Sequence, residues 1–193
     1  MVQEDATSDP KTRIRIGRLF VQAGSPARAA QVFRDILHDA PANGEAYAGL
    51  GEAEFARGNY RVAQRDFLAA VRWAPDDQAV RQRLDFSNEL LRLDPTIRDL
   101  SAAERFRRSL KLVELTLDEI RSCIGPNPSQ ELRGLLDKVA KALAVHVGVA
   151  HKNEVSESNL DLAEQLWQAR KKECKSPPDG NTPLALVLAR LTQ

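Results

Sequence analysis

Apolar residues recur every three or four positions through most of this chain, a spacing typical of amphipathic α-helices. The longest such stripe begins at Ser101 and Glu104, which together form a helix-capping signal. Its apolar members are Ala103, Phe106, Leu110, Val113, Leu117, Ile120 and Ile124. No segment of the sequence alternates strictly between apolar and polar residues, as a half-buried strand would. The sequence therefore predicts an all-α protein.

Three more helices are predicted after this stripe. The chain breaks at Gly125–Pro128, and the next helix has an apolar stripe formed by Leu132, Leu135, Leu136, Val139, Leu143 and Val147. A polar loop is expected at His151–Ser156, followed by a helix over about 158–173. A last short helix begins at Pro183, since proline suits the first turn of a helix. Residues 99–193 are thus predicted to form a C-terminal four-helix region.

Residues 10–43 and 44–77 repeat each other with a period of 34 residues. The matched positions are Gly17 with Gly51, Gly24 with Gly58, Ala29 with Ala63, Phe33 with Phe67, and Pro41 with Pro75. Small residues allow helices to approach closely, glycine permits tight turns and proline ends helices. Each repeat is therefore predicted to contain two helices joined by a turn, over about 10–23 and 26–39, then 43–57 and 60–73.

This period and these residues resemble the tetratricopeptide repeat, or TPR. The second repeat matches the family pattern better, because the first has Arg13 and Pro26 where the family favours a large apolar and an aromatic residue. The period fails after the second repeat, so the next helix is expected to cap the repeats. The predicted organisation is a disordered lead over 1–9 and a TPR domain over 10–93, which ends with the capping helix 78–93.

The resemblance implies a non-enzymatic adaptor that binds a partner peptide or helix in a concave groove. In this family, fixed positions on the first helix of each repeat line the groove. Carried onto this chain, with the capping helix added, they are Lys11, Ile14, Arg18, Val21, Gln22, Glu45, Ala48, Glu52, Phe55, Ala56, Gln82 and Phe86. Chaperone-binding members hold a C-terminal carboxylate with asparagines, but those positions are Arg18 and Glu52 here. That clamp is therefore not expected.

Two other functions remain open. The chain could be a structural or regulatory fragment of a larger multidomain protein, with its own C-terminal helices filling the groove. Clusters of basic residues also leave a weak nucleic-acid-associated module as a third hypothesis. The net charge of +1 argues against a dominant attraction to nucleic acid, and nucleic-acid binding is not expected. No apolar run approaches the roughly 18 residues of a membrane helix, so no membrane insertion is expected.

The sequence contains no recognised catalytic motif, such as a glycine-rich phosphate loop, HExxH, CxxC or GxSxG. Its three histidines, His38, His146 and His151, do not form a metal-ligand set. No enzymatic activity, cofactor or metal is therefore expected. The partner's identity and the oligomeric state stay open.

The compartment depends on the N-terminus and on the two cysteines. The first residues are polar and show no export signal, which favours the cytoplasm. A removed signal peptide would instead leave a periplasmic or secreted protein. Cys123 and Cys174 are expected to be ordinary thiols, with a disulfide in an oxidising compartment as the alternative.

Overall fold

A computed structural model describes residues 9–144 and 152–191. These residues form nine α-helices and no strand, which confirms the predicted all-α class. The helices are α1 (Pro10–Gln22), α2 (Pro26–Asp39), α3 (Gly44–Ala56), α4 (Tyr60–Trp73), α5 (Gln78–Leu93), α6 (Ala102–Arg121), α7 (Gln130–Ala144), α8 (Lys152–Glu173) and α9 (Pro183–Leu191). The lead predicted over 1–9 lies outside the described residues, apart from Asp9, as do His146, Val147 and His151.

The chain divides into two compact units, Met1–Asn88 and Glu89–Gln193. In the first unit α1, α3 and α5 begin 34 residues apart, and so do α2 and α4. The bounds of the four repeat helices match the predicted bounds to within one residue. The turns inside the two repeats contain Gly24 with φ of 67° and Gly58 with φ of 76°, a left-handed conformation that glycine adopts without steric cost.

Two buried phenylalanines form the centres of the repeats. Phe33 and Phe67 are 0% and 1% exposed. A Cβ atom added at Gly17 would lie 2.6 Å from the Phe33 ring, and one added at Gly51 would lie 2.7 Å from the Phe67 ring. The two glycines therefore let the first helix of each repeat pack directly against the phenylalanine ring on the second helix of the same repeat.

In the second unit the main helix pair is α6 with α8. Helix α8 begins at Lys152, so the loop predicted around 151–156 and the helix start predicted at 158 were wrong. Two buried polar side chains in the first half of this helix have hydrogen-bond partners within the fold. Ser156 donates its hydroxyl hydrogen to the Lys152 carbonyl, and the Asn159 amide donates to Ser109 Oγ at 3.1 Å. A helix can contain buried polar side chains when these have hydrogen-bond partners, and the amino-acid composition of the segment does not reveal those partners.

A disulfide joins Cys123, just after α6, to Cys174, just after α8, with the Cα atoms 5.5 Å apart. The expectation of two ordinary thiols is therefore corrected. Because α6 and α8 pack side by side, their C-terminal ends meet although the cysteines are 51 residues apart in sequence. Arg170 reinforces this end of the pair, since its Nη1 donates to the Ser176 carbonyl at 2.6 Å and its Nε lies 3.6 Å from a Glu119 carboxylate oxygen.

Candidate functional site

An open cleft of about 370 Å³ lies in the first unit, between the C-terminal end of α1, the N-terminal part of α3 and the beginning of α5. Small side chains keep it open, and Phe33 lies beneath it against Gly49, where a Cβ atom would lie 2.3 Å from the ring. The lining combines apolar and charged groups. It consists of Arg18, Val21, Gln22, Phe33, Gly44, Glu45, Ala48, Gly49, Glu52, Ala74, Asp77, Ala79 and Val80.

The structure brings half of the predicted groove residues together in this cleft, namely Arg18, Val21, Gln22, Glu45, Ala48 and Glu52. Three others, Lys11, Ala56 and Gln82, are exposed but do not line it. Ile14 departs from the prediction because it is 5% exposed and belongs to the core with Ala29 and Phe33. Its side chain is committed to the packing of α1 on α2 and is not available to a ligand at the cleft.

Phe55 and Phe86, the two predicted aromatic members, pack on each other with ring centroids 5.8 Å apart. Phe55 also contacts Tyr60 at 4.8 Å and packs against the core around Phe67. Phe55, predicted to line the groove, is therefore half-buried against residues of its own unit. These rings support the α3–α5 junction beside the cleft.

The charged groups of the cleft differ in how firmly they are held. Arg18 and Glu45 form an ion pair of 3.1 Å whose side chains are 58% and 65% exposed. An ion pair this exposed contributes at most about 1 kcal/mol, so a ligand can separate its members at low cost. By contrast, Glu52 accepts two hydrogen bonds from Arg83, at 2.5 and 2.6 Å.

Arg83, which pairs with the cleft residue Glu52, is not among the groove residues predicted from the sequence. Its guanidinium lies 4.5 Å from the centroid of the Phe55 ring. Arg83 therefore makes a cation–π contact with Phe55 and a bidentate ion pair with Glu52 at the same time. A usable signal exists in the sequence. Counted from the start of its helix, Ala79 occupies the same position on α5 as the predicted groove residues Lys11 on α1 and Glu45 on α3. Arg83 follows Ala79 by four residues. Residues four apart share a helix face, which places both on the α3 side of α5.

A second set of charges in this unit is buried away from the cleft lining. Glu54, 1% exposed, accepts hydrogen bonds from Arg57 at 3.0 Å and from Asn59 at 2.7 Å, and it pairs with Arg34. Asp66 is 4% exposed, and burial raises the pKa of its carboxyl group from 3.8 to about 6. We assign both groups to the repeat scaffold, because neither lines the cleft.

Among residues 9–144 and 152–191, no group of three or more His, Cys, Asp or Glu side chains is placed to hold a metal ion. In the same part of the chain, no helix combines the length and the apolarity needed to cross a membrane.

Comparison with known proteins agrees with the geometry of the first unit. A family model described as tetratricopeptide repeat matches residues 20–84, which extend from the end of α1 into α5. No curated protein and no solved structure matched the chain. This chain therefore contains a tetratricopeptide-repeat segment. Such a segment is a protein-interaction module, and the family is typically non-catalytic.

Proposed function

We propose that the protein is a non-enzymatic adaptor and that the cleft between α1, α3 and α5 binds a segment of a partner protein. The observation that supports this most directly is the cleft lining. Apolar side chains from all three helices, Val21, Ala48 and Val80, lie beside an exposed and exchangeable Arg18–Glu45 pair. A partner segment with an apolar side chain flanked by charges would match this arrangement.

The charges at the cleft are distributed asymmetrically, and a partner can recognise this asymmetry. Arg18 presents a cation from α1, whereas Glu45 presents an anion from the first turn of α3. The Glu52–Arg83 pair is stacked on Phe55, so we assign it to holding the cleft walls together. Binding would therefore separate the exposed pair and leave the stacked pair intact.

A charge swap tests this proposal. The double substitution Arg18→Glu and Glu45→Arg keeps the net charge and still allows an ion pair to form. It exchanges the two charges, so that the anion lies on α1 and the cation on α3. Proteins captured from native lysate by the wild-type chain and by this variant are compared by quantitative mass spectrometry. We expect the specific partner to be lost by about tenfold or more, while circular dichroism and melting temperature stay unchanged.

The matched control is a swap of a second ion pair in the same unit, Arg13→Asp with Asp39→Arg. These two side chains are 23% and 60% exposed and contact each other at 2.6 Å, and neither residue lines the cleft. The control should retain the partner. If both swaps retain it equally, the cleft is not the binding site. If both lose it equally, general surface charge and not the cleft determines capture.

We also propose that the protein works in an oxidising compartment, such as the periplasm or the extracellular space. The Cys123–Cys174 disulfide supports this, because such bonds persist where thiols are not kept reduced. The test is to trap thiols with a maleimide–polyethylene glycol reagent in intact native cells, with and without prior reduction. A shift in gel mobility only after reduction is the expected result. A shift of the unreduced sample would contradict the proposal.

A further inference from the structure

The second unit contains another groove, separate from the repeat cleft, with a volume of about 410 Å³. Its lining comes from the C-terminal half of α5, from α6 and from the start of α9. Three leucines supply the apolar surface. Leu184 is 8% exposed, while Leu93 and Leu115 are half-buried.

Every charged side chain that lines this groove is acidic. They are Glu89 on α5 and Asp118 and Glu119 on α6. Glu119 lies 3.6 Å from Arg170, whereas Glu89 and Asp118 form no ion pair with any described residue. Two carboxylates on different helices, beside an apolar floor, therefore lack a counter-charge within the described part of the chain.

The spacing of these residues fits an elongated ligand. On α6 the lining residues Leu115, Asp118 and Glu119, with the C-cap residue Ser122, follow at intervals of three, one and three, which places them on one helix face. On α5 Glu89 and Leu93 are four residues apart and share a face in the same way. The groove is thus bordered by two helix faces, each of which offers a leucine and an unpaired carboxylate.

We propose that this groove binds a basic amphipathic helix of another protein. Its leucine-like side chains would contact Leu93, Leu115 and Leu184, and its lysines or arginines would pair with Glu89 and Asp118. Charge complementarity selects this occupant, because an acidic segment would face uncompensated carboxylates and an uncharged one would leave them unpaired. No residue lines both this groove and the repeat cleft.

The probe is a fluorescently labelled synthetic peptide with leucine at helical spacing and lysine on both flanks, titrated with the full chain by fluorescence anisotropy. The test variant is Glu89→Lys with Asp118→Lys. The matched control is Asp137→Lys with Glu157→Lys, two exposed acidic residues of the same unit that do not line the groove. We expect the test variant to weaken binding by about tenfold or more and the control by about twofold or less.

Two altered peptides separate the contributions. A peptide with glutamate in place of lysine should bind the test variant more tightly than it binds the wild type, because the charges are reversed on both sides. A peptide with serine in place of leucine should bind the wild type at least about fivefold more weakly, since it cannot bury apolar surface in the groove. Circular dichroism checks that each variant is folded.

Three outcomes would overturn the proposal. Equal weakening by the test and control variants would show attraction to net charge alone. Loss of binding only in the Arg18→Glu, Glu45→Arg swap would place the peptide in the repeat cleft. Concentration-dependent dimerisation of the wild type that the test variant abolishes, seen by sedimentation velocity, would make a second copy of this chain the occupant.

Discussion

Reduction of the Cys123–Cys174 disulfide should strongly destabilise the second unit. The bond joins the C-terminal ends of α6 and α8, the helix pair that forms the core of that unit. In the native state this pair is also held by buried side chains such as Leu112, Ile120 and Leu166. We therefore expect the reduced protein to keep its fold at low temperature and to unfold at a much lower one.

The magnitude follows from the length of the closed loop. A cross-link restricts the unfolded chain, and closure over the 51 residues between these cysteines contributes about 4 kcal/mol by the chain-entropy relation. For a unit of this size each kcal/mol shifts the melting temperature by about 4–8 °C. Reduction should therefore lower the melting temperature of the second unit by about 15 °C or more.

The assay can observe this unit alone. The chain has two tryptophans, Trp73 in the first unit and Trp167 in the second. In a Trp73→Phe background Trp167 is the only tryptophan, and excitation selective for tryptophan over tyrosine follows it alone. Because Trp167 is 6% exposed, its emission should move to longer wavelength on unfolding. Thermal melts with and without reductant then report the second unit, and a thiol titration confirms that reduction is complete.

A Cys123→Ser, Cys174→Ser variant in the same background is the control. Its melting temperature should match that of the reduced parent and should not respond to reductant. A fall of less than about 5 °C in the fully reduced parent would refute the reasoning, because it would mean that the loop is already restricted in the unfolded state. An equal response of the control would mean that the reductant acts elsewhere.

Three further changes concern the first unit, and urea unfolding measures each. Burial raises the pKa of Asp66 to about 6, so the stabilisation linked to its protonation is complete below about pH 4 and lost as pH rises through 6. The free energy of unfolding should therefore fall with rising pH, and Asp66→Asn should remove up to about 2–3 kcal/mol of this decrease. An unchanged pH dependence of the free energy of unfolding in this variant would contradict the assignment. Gly51→Leu should cost about 1–3 kcal/mol or more by overpacking Phe67, and a neutral effect would contradict the close contact. Phe55→Ala should cost about 1–2 kcal/mol because the ring packs beneath Arg83, and a loss below about 0.5 kcal/mol would restore Phe55 as an exposed groove residue.

The sequence predicted the repeat helices well because their signals are local. Glycine at the turns, proline after the second helices and one aromatic per repeat each act over a few residues, and all recur after 34 residues. The same reasoning succeeded for the last helix, where Thr182 Oγ1 accepts a hydrogen bond from the Ala185 amide at 3.2 Å. Local signals of this kind set helix boundaries without reference to the rest of the fold.

Features that depend on distant partners were missed. In the first turn of α8, Asn153 Oδ1 accepts a hydrogen bond from Arg105 at 3.2 Å, 48 residues away in sequence, and the disulfide depends on two helix ends meeting. Ile14 was assigned to the groove from its position in the repeat, but the direction of its side chain depends on how α1 packs on α2. In each case the deciding contact is tertiary, and no pattern within a single helix encodes it.

Helix α3 shows how one element can serve both the scaffold and the site. Glu52 and Glu54 are two residues apart, so they point about 200° apart around the helix. Glu52 lines the cleft and pairs with Arg83, whereas Glu54 is buried among Arg34, Arg57 and Asn59. The same residue type therefore fixes the packing of the repeat on one face and borders the cleft on the other. Because the inward network holds α3 in place, substitutions on the cleft face can alter recognition while the fold persists. The charge swap at Arg18 and Glu45 depends on this separation of roles.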